Sequence, residues 1–360
     1  MPPVRHIGCY LISAMAKAPT SVIGIDLGRY SLKSVLLQRK SGNRYALTHY
    51  ASHLLPDSVE SVDQLSRELK LLLKSMGGSS KTCAVGISSP DALIRIIEQP
   101  ETPTEILRDA LRLNGMALLN QDCKSFVLDC DEIPSSEAPA PGQQSGTRQR
   151  KYIVGGLPRT QVSQVSEMFD KGGQPLTALQ IAPICLFNAF EFAQPDVFNN
   201  RSFFLVDIGH TSSTMMIGVK RELVLVRQID FGGRLLIETL MALSGESRES
   251  VFTALEQEDE VMVENTRMAL MILTREVGSS IGFFEGRRED TIGQVWISGG
   301  PSKSKTLLKV MGEELRMPCA SWSATERCEV HVSGDKKARF ASEAPDLNVA
   351  CGAAAELLTA

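Results

Sequence analysis

At 360 residues the chain is long enough for roughly two to four compact units. With 43% hydrophobic and 22% charged residues it has the composition of a folded globular protein and excludes a disordered or fibrous one. A formal net charge of -4 supplies no field that would gather nucleic acid, and the basic pairs Arg287-Arg288 and Lys336-Lys337 read as solvated faces, so no nucleic-acid partner is expected.

The eight cysteines are scattered and form no Cys-x-x-Cys pair, which fits reduced thiols in a cytoplasmic protein. Cys328 and His331 have a spacing a metal could use but lack a second ligand pair. Residues 7 to 16 form an apolar stretch too short to span a bilayer. It reads either as a weak signal peptide or, preferably, as sequence ahead of a true start at Met15. Direct membrane insertion is not expected.

In chain order, Val22–Ile25 and Ser34–Gln38 are two apolar runs joined by a short polar turn, which predicts a β-hairpin. Ser41-Gly42-Asn43 leads to a third strand near Tyr45–His53. Val62, Leu65, Leu69, Leu72 and Met76 fall at helical spacing, and Gly77-Gly78 ends that helix. Residues 82 to 88 read as another strand. Ala92–Glu98 is a strand, and 103 to 118 a helix with Ile106, Ala110 and Leu113 on one face. Phe126–Cys130 is a strand, 134 to 150 a loop rich in Pro, Ser, Gly and Gln, Tyr152–Gly155 a strand and Pro158–Lys171 a helix. This block reads as a small inserted subdomain.

At 203 the opening pattern returns. Phe203–Val206 and Met215–Val219 form a hairpin, and Leu223–Ile229 a third strand. Leu270, Leu273, Val277, Ile281 and Phe284 share one helical face. The strand Gln294–Ile297 runs into Ser298-Gly299-Gly300-Pro301-Ser302 and a helix to about Arg316. A helix of small residues, Val349–Leu358, follows.

Aligned without gaps, the segments starting at Val22 and Phe203 put Asp26 on Asp207, Gly28 on Gly209 and Ser31 on Ser212. One Asp-x-Gly turn is ordinary turn chemistry. Two in register, each followed by the same strand order, predict two lobes of like topology. A carboxylate at the end of a buried strand is held rigidly, and a glycine two residues on admits close backbone approach. Successive N–H groups and small hydroxyls suit phosphate oxygens. Two such turns from facing lobes can grip a polyphosphate, with Asp26 and Asp207 favouring a hydrated Mg²⁺ and Lys33 adding positive charge. Gly299, Gly300, Pro301 and Ser302 suit the face of an adenine ring.

This ordering resembles the actin and sugar-kinase superfamily, and within it the PilM family of type IV pilus assembly proteins, from about residue 20 onward. The residues that carry the resemblance are Asp26, Gly28 and Lys33; Asp207, Gly209, Thr211 and Ser212; Phe231-Gly232-Gly233; Arg275, Glu276 and Ser279; and Gly299-Gly300. It implies an α/β, actin-like fold of duplicated ribonuclease-H-like lobes. Residues 20–91 and 179–200 would form the first lobe, 92–178 an inserted subdomain of the 1C type, and 201–360 the second lobe with an insertion at about 231–290. Residues 1–19 would be an extension.

The resemblance further implies bound ATP and Mg²⁺, with Arg275, Glu276 and Ser279 bordering the adenosine. Arg29, Tyr30 and His210 stand where relatives carry small residues, and Arg29 could contact a phosphate. It also implies a cytoplasmic protein peripheral to the inner membrane, holding the N-terminal cytoplasmic tail of a PilN-like single-pass membrane protein near 1C. Ala182 occupies a position where the family commonly carries an acidic residue, which implies slow or absent hydrolysis, at most a weak ATPase. The alternatives are a phosphotransferase of the same superfamily, for which no catalytic carboxylate stands out, and a nucleotide-free structural protein of the FtsA type.

Overall fold

The protein is described by a computed structural model covering residues 12–13, 19–42, 44–56, 61–136, 149–257 and 260–359. Most of the N-terminal extension, residues 1–11 and 14–18, and residues 137–148 of the expected loop lie outside the described residues. The chain divides into two compact units, Met1–Pro195 with Ala324–Ala360, and Asp196–Ser323.

In the first unit, β2 (Ser21–Leu27), β3 (Ser31–Arg39) and β4 (Tyr45–Leu54) form an antiparallel meander. From Val22 to Leu27, β2 is buried on both faces, so its sequence is a continuous apolar run closed by Asp26-Leu27. The helix α1 (Val62–Met76) starts where Ser61 caps the Gln64 N–H and Gln64 returns the bond to Ser61. It ends at Gly77, whose φ of 80° is left-handed. Leu69, Leu72 and Met76 form its buried face, as their spacing predicts. Strand β5 (Cys83–Ile87) then pairs parallel to β2.

The chain next builds a separate three-stranded sheet from β6 (Leu93–Pro100), β7 (Phe126–Glu132) and β8 (Gln149–Pro158), in the order β6-β8-β7. Its helices are α2 (Thr104–Leu119) and α3 (Arg159–Gly172). The small core of Leu93, Leu107, Leu111, Leu119, Tyr152 and Val154 gathers on the inner face of α2. The expected face of Ile106, Ala110 and Leu113 is not that face: Ile106 and Leu113 are exposed, and the helix packs through Leu107 and Leu111 instead.

Strand β9 (Ala178–Ile181) returns to the first sheet parallel to β5, and the backbone of Ile12–Ser13 (β1) pairs antiparallel to it. The helix α4 (Ala182–Ala193) follows, and α5 (Pro195–Asn200) leads into the second unit.

There, β10 (Ser202–Ile208), β11 (Ser213–Val219) and β12 (Glu222–Ile229) form a second antiparallel meander. The helices α6 (Gly233–Ser244), α7 (Arg248–Gln257) and α8 (Glu260–Glu285) precede β13 (Val295–Ser298), which pairs parallel to β10. After α9 (Lys305–Leu315), β14 (Cys319–Ser321) pairs parallel to β13. Leu270, Leu273, Val277, Ile281 and Phe284 of α8 line the core of this unit, as their spacing predicts.

The duplication read from the sequence is present in the topology. The first sheet contains the run β9-β5-β2-β3-β4, and the second is β14-β13-β10-β11-β12, the same order of parallel and antiparallel partners. Both meanders carry an irregularity at the equivalent step, between Leu36 and Leu37 and between Ile217 and Gly218.

One boundary differs from expectation. Residues 324–360, expected with the second lobe, belong to the first unit. Strand β15 (Cys328–Val330) pairs parallel to β4, α10 (Asp335–Glu343) follows, and α11 (Asn348–Thr359) packs on β2 and α4. Glycine and alanine make that packing close. A Cβ on Gly24 would lie 1.9 Å from the Ala350 carbonyl oxygen, and one on Gly352 would lie 1.8 Å from that of Cys185. Only hydrogen fits at either place.

Candidate functional site

Each unit presents one hairpin turn that ends in an aspartate, and the two turns are built alike. A Cβ on Gly28 would meet the Ser31 carbonyl oxygen at 2.7 Å, and one on Gly209 the Ser212 carbonyl oxygen at 2.8 Å. The turn itself therefore requires glycine at both positions, a more local reason than close approach of a ligand.

In the first unit, Asp26 is held on β2 between Lys33 of β3 and Gly86 of β5. The Lys33 ammonium donates to Asp26 Oδ2 at 3.0 Å. Asp26 is only 5% exposed, and its Oδ1 is buried with no hydrogen-bond partner among the described residues. A buried carboxylate oxygen without a donor is costly, so this oxygen is poised for a hydrated cation or another donor. Arg29 and Tyr30 are exposed in the turn, and Ser31 opens β3.

A buried polar group lies in the same unit and was not flagged by spacing. Glu356 of α11 accepts from the Gln180 amide and, at 3.0 Å, from the Asn188 amide, while the Cys185 thiol donates to Gln180 Oε1 at 3.0 Å. Burial, then the charges of Glu356 and Asp26, push the Cys185 thiol well above its ordinary range. These residues come from β9, α4 and α11, whose pairing sequence periodicity does not reveal. Ala182, the first residue of α4, is buried and brings no carboxylate.

In the second unit the structure gathers three of the predicted motifs. Asp207 sits between Thr214 of β11 and Ser298 of β13, and the Ser298 hydroxyl donates to its Oδ1 at 2.7 Å. The first turn of α6 is seated on the hairpin: Gly233 N–H donates to Gly209 O at 2.8 Å and Arg234 N–H to His210 O at 2.9 Å. A Cβ on Gly232 would lie 2.5 Å from the His210 oxygen, and the Ser213 hydroxyl holds Phe231 O at 2.6 Å. Phe231-Gly232-Gly233 is thus the seat of the second loop, which carries His210, Thr211 and Ser212. Pro301 packs near Gly233.

Gly299 has φ +86°, and a Cβ there would lie 2.2 Å from Ile208 O. At Gly300 a Cβ would meet nothing within 4 Å, so its face is open. Ser302 is different: it is fully buried and accepts from the Ser321 hydroxyl, an interior contact.

Arg275, Glu276 and Ser279 lie on α8. Arg275 and Ser279 are exposed. Glu276 receives Arg227 of β12 at 3.3 Å, and Arg227 also reaches the Ser280 hydroxyl. The neighbouring Gln228 donates to Ser212 Oγ at 3.1 Å. Ser280, Arg227, Gln228 and Ser298 are site-region residues that sequence reasoning left out. Two had a signal: Ser298 as the first residue of the Ser-Gly-Gly-Pro segment, and Ser280 as the residue after Ser279 in the α8 motif.

The residues fit a magnesium nucleotide in one respect that the geometry decides: the unpartnered Asp26 oxygen beside a glycine turn. Among the described residues no group of three or more His, Cys, Asp or Glu side chains is gathered to hold a metal. A cation here would depend on water and phosphate ligands, as Mg²⁺ does.

Residues 179–357 match the family model described as type IV pilus assembly protein PilM. Among solved structures, the chain is similar to a PilM-PilN type IV pilus biogenesis complex at 20% identity, covering 95% of this chain and 99% of that one, with TM-score 0.77. It is also similar to the ethanolamine utilization protein EutJ from Carboxydothermus hydrogenoformans (12% identity, 97% and 94% covered, TM-score 0.52). A diol dehydratase-reactivating factor in nucleotide-free form gives 10% identity, 93% and 99% coverage and TM-score 0.52. The fold is actin-like α/β, and residues 179–357 carry the match to the PilM family of type IV pilus assembly proteins.

Proposed function

We propose that this chain is an ATP-binding component of a type IV pilus assembly platform that holds the cytoplasmic N-terminal tail of a PilN-like membrane protein. The family match over residues 179–357 and the likeness to a PilM-PilN complex support the platform and the partner. The observation that carries nucleotide binding is the duplicated aspartate-glycine turn, with the buried Asp26 oxygen left without a donor.

Asp26 and Asp207 would orient water around Mg²⁺, which when bound would neutralise phosphate charge. The N–H groups and hydroxyls of the two turns would take phosphate oxygens. Lys33 would exchange its Asp26 contact for phosphate, and the open face at Gly300 would take the base. Among the described residues no helix is long and apolar enough to cross a membrane, so attachment to the cytoplasmic face would run through the partner.

Hydrolysis would be slow or absent, because Ala182 can neither orient nor deprotonate a water. Isothermal titration with ATP-Mg²⁺ tests the nucleotide, using Asp26→Ala and Asp207→Ala as comparisons. Equal affinity in all three proteins removes the nucleotide reading. Titration with a synthetic PilN-type N-terminal peptide tests the partner separately.

A further inference from the structure

The first unit holds a cavity of about 520 Å³ whose walls include no residue of the aspartate turn. It opens between the Thr48-His49 step of β4, the end of α1 at Met76, residues 331–333 and the first turns of α10. Its size is that of a small-molecule site, roughly 300–1,000 Å³.

A bulge builds one wall. Against β3, His49 pairs with Leu36 and Leu47 with Leu37, so Thr48 is the extra residue, and two consecutive side chains reach the same cavity. The Thr48 hydroxyl donates to Leu36 O at 3.3 Å, so its oxygen accepts from His49 Nδ1, 3.1 Å away. That fixes the tautomer and leaves Nε2 without a hydrogen-bond partner among the described residues. Gly78 backs the ring: a Cβ there would lie 2.9 Å from His49 Cγ and Nδ1.

The other polar walls are mostly cationic. His331 follows β15, its N–H bonded to Leu47 O, with Glu329 3.5 Å from its ring. The Lys336 ammonium donates to Tyr50 O at 2.9 Å and to Ser75 O at 2.6 Å, at the end of α1. Those acceptors are neutral, so its charge persists. Burial, then Arg339, lower its pKa, as expected where positive charge gathers. Arg339 is exposed and meets Glu343 only at 3.9 Å, a contact that leaves it able to turn. Asp335 is the one carboxylate in the lining among the described residues, and no cluster able to hold a metal occurs among them. Met76 and Val332 are buried and supply apolar surface.

We propose that this cavity binds a small phosphomonoester. Its phosphate lies against Arg339 and the two imidazoles, with Lys336 adding charge from behind, and its organic part lies on Met76 and Val332. Up to two negative charges and three acceptor oxygens match this donor set better than one carboxylate does. The site is separate from the nucleotide site proposed above, and neither reading depends on the other.

Phenyl phosphate is the probe, titrated into the full chain and followed by NMR of the histidine rings. The chain has five histidines, and single His→Gln variants assign them. The His49 and His331 signals should move together and saturate with a Kd of about 1 mM, and both ring pKa values should rise, because an anion favours the charged ring. Arg339→Gln should weaken binding about tenfold with no change in thermal midpoint. Benzoate should bind several-fold more weakly, and phenol not at all. The proposal is overturned if neither ring responds up to about 20 mM probe, or if only His210 does. Equal affinity in Arg339→Gln, or benzoate binding as tightly as phenyl phosphate, also overturns it.

Discussion

Asp26 and Asp207 occupy equivalent ends of β2 and β10, yet they are partnered from opposite sides. Lys33 supplies the partner of Asp26 from β3, where the second copy has Thr214. Ser298 supplies the partner of Asp207 from β13, where the first copy has Gly86. One aspartate is met by an ammonium and the other by a hydroxyl.

The Lys33 ammonium pairs at 3.0 Å with the Asp26 carboxylate, which is 7% exposed. Lys33→Met strands that charge and should cost about 3 kcal/mol in urea unfolding. Asp26→Asn combined with Lys33→Met should cost less than Lys33→Met alone, which a double-mutant cycle checks.

Two serines of one segment should separate by role. Ser298→Ala removes the hydroxyl that orients Asp207, so ATP-Mg²⁺ affinity should fall several-fold, about 1 kcal/mol. Ser302→Ala touches only the interior contact with Ser321 and should leave affinity unchanged. Calorimetry on both variants decides.

The β11–β12 turn is strained. Lys220 and Arg221 are consecutive non-glycine residues with φ of 46° and 78°, a conformation that favours Asn-Gly. The turn is held by backbone bonds from Lys220 to Arg201 O and from Arg221 to Phe198 O. Lys220→Asn should raise stability by about 1 kcal/mol, since the half-exposed Lys220–Asp290 pair at 3.7 Å contributes little. A shift of the urea midpoint to higher concentration checks this.

Alkaline stability follows from Tyr50. Burial, then the hydrogen bond and charge of Glu343, push its phenol from 10.0 up to about 12. Because the folded value is raised, its contribution is complete below pH 10 and is lost as pH rises toward about 12. Tyr50→Phe should flatten that part of the stability curve, leaving the loss due to the buried Cys130 and the half-buried Cys319 and Cys328 thiols, also pushed to about 12.

The duplicated hairpins were legible because each copy alternates turn chemistry with short apolar runs, and a gap-free match needs no tertiary information. The inner face of α2 was not. Ile106-Ala110-Leu113 and Leu107-Leu111 are both apolar at helical spacing and differ by one residue, so periodicity cannot choose between them. Helix α4 is buried all round from Ile184 to Phe192, so it has no polar face to mark its period. The return of β15 to β4 rests on three strand residues paired across most of the chain, a contact no local signal announces. Of the site, the glycines and aspartates could be read directly. Ser298 and Arg227 act through partners on other strands and helices, which only the fold brings near.

The return of residues 324–359 to the first unit has a consequence for synthesis. Residues 196–323 are contiguous and can collapse as soon as they emerge from the ribosome. The earlier-made half must wait, with the surface around Gly24 bare of α11, until the later segment arrives. In this chain the part translated first is the part finished last.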